Sequence, residues 1–227
     1  MALHNLSQES AGDFLPTIRY NAREGNFFRA DRVLNSDGQY TTVTAPITDD
    51  LAKKGMLIDV ANTEVGWIRF EGEVDFALLH HKLPPVPRPT EHHKAGFRVQ
   101  VWLPDAISEG ANLRHFSHTA LSVNRRYDAL HDEWVRLADD QHKVNGNVVP
   151  HATIEIEDVK TQRGTFQAPV FKIVQWVPRP DSWPLPHVEI RPDQPDPASP
   201  TAADVIGAFD GEVVSSEAAP AEGDLPF

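Results

Sequence analysis

From about residue 14 onward, short runs of β-branched and aromatic residues alternate with turn signals, a period-two pattern that predicts an all-β body. Residues 96–103 show it most clearly: Phe97, Val99, Val101 and Leu103 fall on one side, Arg98, Gln100 and Trp102 on the other. Residues 26–34 divide in the same way, with Phe28, Ala30 and Arg32 against Phe27, Arg29, Asp31 and Val33. Asp37-Gly38 has hairpin-turn chemistry and leads into a strand over 40–44. Thr48 is placed to cap a helical turn that stops at Gly55. Strands are expected at 56–60 and along 65–79, the second bent or divided at Gly66 and Gly72.

Four prolines between Leu83 and Pro89 remove four backbone donors, so this stretch and the following Glu91-His92-His93-Lys94 read as a long exposed loop. One helix is predicted, over 123–141, where Val123, Tyr127, Leu130, Trp134 and Leu137 recur at helical spacing and need a surface to cover. Gly146 ends that region. Strands at 152–159 and 165–177 follow, joined at Gln162-Arg163-Gly164, and Pro178-Arg179-Pro180 closes the body.

Charge divides the chain further. Residues 181–227 hold ten of the 33 acidic residues and one of the 21 basic ones, so −9 of the net −12 belongs to this end and the remainder is nearly balanced. The end is also rich in proline, then in Ala, Ser and Gly, and too poor in large apolar residues to build a core. The expected organisation is a loose arm over 1–13, a β body over 14–180 and a solvated acidic tether over 181–227. With no cysteine, neither disulfides nor thiolate metal sites arise. The first residues lack the basic and apolar regions of a signal peptide, and no stretch approaches the ~18 apolar residues of a spanning helix. The expectation is a cytoplasmic protein without a membrane partner, and the pattern leaves a homo-oligomer open.

The tether ends on Asp224, Leu225, Pro226 and Phe227. Phe227 offers a ring and the terminal carboxylate on one residue, while Pro226 limits the freedom that binding removes, a combination suited to a shallow apolar pocket rimmed by cations. This tip resembles that of the bacterial single-stranded-DNA-binding proteins (SSBs), whose acidic tails end in Asp-hydrophobic-Pro-Phe and recruit replication, recombination and repair proteins. The likeness covers the last four residues. Ala-Glu-Gly stands where the family has a run of Asp, and no stretch of the body matches, which points to a divergent phage- or plasmid-type member in a bacterial cell or phage-infected host. The resemblance implies an OB-fold body; strands with one inserted helix are compatible with it.

Binding single strands without sequence preference needs cations that track phosphates and flat rings on which bases stack. Arg98 with Trp102, Trp67 with Arg69, and Phe27 with Arg29 place both on three candidate strands. In a small barrel one side of every strand is core, so each ring also has a core reading, and the arginines are the firmer candidates. Lys82, Arg88 and Lys94 in the proline-rich loop, Arg125 and Arg126 at the helix start, and Lys160 and Arg163 in the last hairpin form an electrostatic fringe or an ordinary solvated surface.

Other chemistry is thinner. Eleven histidines include His80-His81, His92-His93 and the His115/His118 pair, but neighbours on a strand point to opposite sides, and no His-Glu-x-x-His or dense Asp cluster accompanies them. Serine-nucleophile and phosphate-loop signatures are absent from the sequence. The expectation is a non-enzymatic single-stranded-DNA-binding protein without a cofactor or metal. A structural or adaptor β-domain is the alternative, and a metal-dependent hydrolase comes third.

Overall fold

The structure is a computed structural model that describes residues 15–183, with 73, 146, 162 and 163 excepted. The expected arm, the stop at Gly146, the corner at Gln162-Arg163 and the tip Asp224 to Phe227 lie outside the described residues.

The described chain is mainly β, a single ten-stranded sheet curled into an open half-barrel with few helices. Its strands are β1 Thr17–Asn21, β2 Asn26–Leu34, β3 Tyr40–Pro46, β4 Met56–Ile58, β5 Glu64–Arg69, β6 Asp75–His80, β7 Lys94–Trp102, β8 Leu113–His118, β9 Val148–Thr161 and β10 Gly164–Pro178. The helices are α1 Thr48–Lys54, α2 Asp105–Ser108 and α3 Leu121–Asn145.

β7 is the hub because its alternation is uninterrupted and its inward residues are all apolar. Phe97, Val99 and Val101 are buried. One edge of β7 pairs with β8; the other pairs first with β5, over Lys94 to Arg98, and then with β4, at Val101 and Trp102. From these neighbours the sheet runs through β4 to β9 and β10 on one side and through β8 to β1, β2 and β3 on the other. Only β1 and β8 pair in parallel among the described strands.

The amphipathic face of α3 lies on the inner side. Val123, Tyr127 and Leu130 join the core with Phe97, Phe116, Ile154 and Phe171. The Tyr127 ring stacks on Phe97 with centroids 4.0 Å apart, and its hydroxyl shares a 2.6 Å hydrogen bond with Thr63 Oγ1, so the buried polar atom is satisfied. Among the described residues no helix is long and apolar enough to cross a membrane.

One local expectation is corrected and another is resolved. Thr48 does not cap α1: Ile47 holds the cap position, and Thr48 Oγ1 accepts the Phe27 N–H at 2.8 Å, tying α1 to β2. The 65–79 stretch is a hairpin of two strands, closed near Gly72. Gly66 plays a different part, as a point of close backbone approach. It has φ +148, and an added Cβ would stand 2.3 Å from the Ala77 carbonyl oxygen. Gly66→Ala is expected to cost more than about 1 kcal/mol and visibly lower the melting temperature. Gly38→Ala, also at positive φ but in open space, loses less in the same melting experiment.

Candidate nucleic-acid interface

The register assigns the residues of each strand to one side of the sheet, since residues directly opposite share a side. Starting from the outward residues of β7, Arg98 lies opposite Ser117 and Glu64, Gln100 opposite His115, and Trp102 opposite Leu113 and Leu57. His115 lies opposite Thr17, which carries the outer side onto β1 and, two residues on, to Arg19. Arg19 lies opposite Phe28, and Arg32 opposite Thr42. The outer side therefore holds Trp102, Arg98, Arg19, Phe28, Arg32 and Tyr40 across four strands. The Arg32 guanidinium lies 4.8 Å from the centroid of Tyr40, a ring that is 57% exposed. Cation and stacking surface thus stand side by side at the β2–β3 end.

The candidates read from the sequence divide between the two sides. Arg98, Trp102 and Lys94 are on the outer side. Arg98 donates to both carboxylate oxygens of Glu64, at 2.6 and 3.1 Å, and lies over the Phe76 ring at 5.0 Å. Lys94 pairs with Glu71 at 3.3 Å. Trp102 is partly covered by Trp183, whose ring centroid is 5.9 Å away.

Arg29, Trp67 and Arg69 face inward instead. Arg29 follows Phe27 on the core side of β2 and is only 4% exposed; its Nε pairs with Asp31 at 2.6 Å and its Nη1 donates to the Ile107 carbonyl at 2.9 Å. The expectation of an outward Arg29 is therefore corrected: burial is tolerated because a carboxylate and a carbonyl replace its water. Trp67 lies opposite Ala95, on the side of Val65 and Phe97, and its Nε1–H donates to the Val86 carbonyl at 2.9 Å. The Arg88 guanidinium covers that ring at 5.3 Å. Arg69, opposite Asp75, shares this side.

Arg125 and Arg126 sit on α3, which covers the inner side, and Arg126 pairs with Glu157 at 2.5 Å. Lys160 is exposed near the far end of β9, and Arg163 lies outside the described residues. The residues that sequence reasoning missed are Arg19, Phe28, Arg32 and Tyr40. The alternation of β2 carries the signal, on the side opposite to Phe27 and Arg29.

Electrostatics adds detail. Burial and the neighbouring Arg98 bring His115 down to about 4, so a neutral imidazole stands mid-face at neutral pH. A second group of imidazoles lies where the end of β6 meets α3. His81 Nδ1 and His131 Nε2 are 3.3 Å apart, and the His80 and His81 rings have centroids 4.5 Å apart. Burial lowers all three, His81 to about 3. One turn before His131, burial and then Asp132 push the Asp128 carboxyl up to about 6.

A carboxyl whose folded value exceeds its unfolded one, about 3.9, makes folding take up a proton between those values, so stability falls as pH rises from about 4 to 6. Asp128→Asn is therefore expected to raise the urea midpoint at pH 7.5 and to raise it less at pH 4.5. Equal gains at both pH values would count against a buried, hard-to-ionise Asp128.

The chain stays attached to the outer side through Trp183, which is 2% exposed. Its Nε1–H donates to Gln100 Oε1 at 2.8 Å, and the Arg179 guanidinium stacks on it at 4.8 Å while reaching the buried Asp59 at 2.6 Å. Trp183 therefore sits beside Trp102. No protein-family model, curated protein or solved structure matches this chain.

Proposed function

We propose that this protein binds single-stranded DNA with little sequence preference on the outer side of its sheet, in an OB-fold-like manner, and recruits replication, recombination or repair proteins through Asp224, Leu225, Pro226 and Phe227. The observation that carries the reading is the placement of Arg19, Phe28, Arg32 and Tyr40 on the same side as Arg98 and Trp102. That arrangement offers phosphate-binding charge interleaved with rings, and each stacked base contributes about 1–3 kcal/mol without regard to its identity. The acidic end and its SSB-like tip support the recruiting half of the reading, and the setting they imply is the cytoplasm of a bacterial or phage-infected cell.

The test is fluorescence anisotropy with a labelled oligo-dT of ~30 nucleotides at two salt concentrations, with duplex as competitor. Salt-sensitive binding that duplex competes poorly is expected, since phosphate contacts release counterions and stacked bases are hidden in a duplex. No binding at low salt would overturn the reading and leave the adaptor alternative. Deleting Phe227 is expected to leave DNA affinity unchanged while abolishing capture of a replication or repair protein in a pull-down. Equal capture with and without Phe227 would remove the tip from the proposal.

A further inference from the structure

His81 directly follows β6, at the open end of the β5–β6 hairpin, and His131 lies on α3, fifty residues later, yet their Nδ1 and Nε2 atoms stand 3.3 Å apart. At that distance a single N–H joins them, or one cation serves both. Two imidazole nitrogens bound tetrahedrally at about 2.0–2.1 Å from Zn²⁺ stand about 3.3–3.4 Å from each other, so the spacing already suits a shared ion once the rings tilt toward it.

The surroundings favour an ion over a second proton. A second proton would set two cations at hydrogen-bond distance, whereas a metal ion takes both imidazoles in their neutral form. One turn before His131 on the same helix, Asp128 Oδ2 is buried without a hydrogen-bond partner. His80 is committed elsewhere, with Nε2 on the Ala61 carbonyl at 3.0 Å and Nδ1 accepting the Lys82 N–H at 3.2 Å, so it is not a third ligand. No three His, Cys, Asp or Glu side chains among the described residues form a metal-holding group, which leaves water to complete the coordination.

We propose that His81 and His131 form a two-histidine site for a borderline divalent transition metal such as Zn²⁺, Ni²⁺ or Cu²⁺, clipping the β5–β6 hairpin to α3. Imidazole ligands select these ions over Mg²⁺ and Ca²⁺, and among them Cu²⁺ binds most tightly. The site is separate from the outer side of the sheet, so it stands independently of the DNA-binding reading.

The experiment uses the untagged full chain. Thermal melts are recorded with and without ZnSO₄ or NiCl₂, and the electron paramagnetic resonance spectrum is taken with one equivalent of CuSO₄. An ion that binds the folded state raises the melting temperature, and two imidazoles give nitrogen hyperfine structure on the Cu²⁺ signal. Both effects are expected in the wild type and in His92→Ala and His142→Ala, and neither in His81→Ala or His131→Ala. If an alanine variant does not fold, His81→Gln and His131→Gln replace it. MgCl₂ is expected to change nothing. A melting temperature unmoved by Zn²⁺ and Ni²⁺, or a rise that survives loss of either histidine, overturns the proposal.

Discussion

Asp31→Asn is expected to destabilise the protein by about 3–5 kcal/mol, the range for removing one partner of a buried ion pair. The reason lies at the lower end of the core, where two guanidiniums share one carboxylate. Asp31 Oδ2 takes Arg29 Nε at 2.6 Å and Asp31 Oδ1 takes Arg114 Nη1 at 2.7 Å, and the Arg114 side chain is wholly buried. Two further donors reach the end of α2, with Arg29 Nη1 on the Ile107 carbonyl and Arg114 Nη2 on the Ser108 carbonyl, both at 2.9 Å. The exposed Glu109 closes the cluster through Arg29 Nη2.

Asparagine keeps the shape of Asp31 and removes its charge, leaving two buried cations beside carbonyl dipoles. Urea denaturation should show a lower midpoint with an unchanged slope. The combined variant Arg29→Met, Asp31→Leu, Arg114→Met is expected to recover much of the loss, because an apolar cluster of similar volume needs no compensation. A single Asp31→Asn variant within about 1 kcal/mol of wild type would mean that water reaches the guanidiniums and shields them.

This cluster also explains what the sequence concealed. β7 was legible because its inward residues are uniformly apolar, and α3 because its apolar residues repeat at helical spacing. β8 went unrecognised because its inward positions are Arg114, Phe116 and His118. A strand that buries an arginine and a histidine does not read as amphipathic. The same arginine pair inverts the pattern of β2: its period is legible, but Arg29 reads as a phosphate contact although Asp31, two residues on, is its partner.

On β5 the ambiguity had another source. Ile68 is buried on the outer side of the sheet while Trp67 and Arg69 face inward, Trp67 against the proline-rich loop, so hydropathy alone pointed the wrong way. Long-range partners such as Ile107 for Arg29, or Val86 for Trp67, leave no trace in the local pattern. The expected start of the tether at 181 has a similar origin, since Pro178-Arg179-Pro180 reads as a terminator. The buried pairing of Arg179 with Asp59, 120 residues earlier in the chain, holds the segment through Trp183 in place.

If the outer side binds single strands, Tyr40→Ala should weaken oligo-dT binding about 5- to 150-fold, which corresponds to the loss of about 1–3 kcal/mol of stacking. Tyr40 is the most exposed ring on that side, and the Arg32 guanidinium over it positions charge at the height of a neighbouring phosphate. Arg19→Ala and Arg32→Ala should each lower affinity across all sequences and reduce the slope of log affinity against log salt by about 0.7.

Trp102→Ala should cost less than Tyr40→Ala, because Trp183 already occupies part of its surface and Arg98 is held by Glu64. Arg125→Ala, on the side covered by α3, should change neither affinity nor slope. The order of these variants matters more than any single value. A ranking led by Tyr40, Arg19 and Arg32 locates the strand on the β1–β2–β3 end of the sheet. Were Arg125→Ala to match Arg32→Ala while Tyr40→Ala left binding intact, the nucleic acid would lie on the opposite side, along α3, and the outer-face reading would fail.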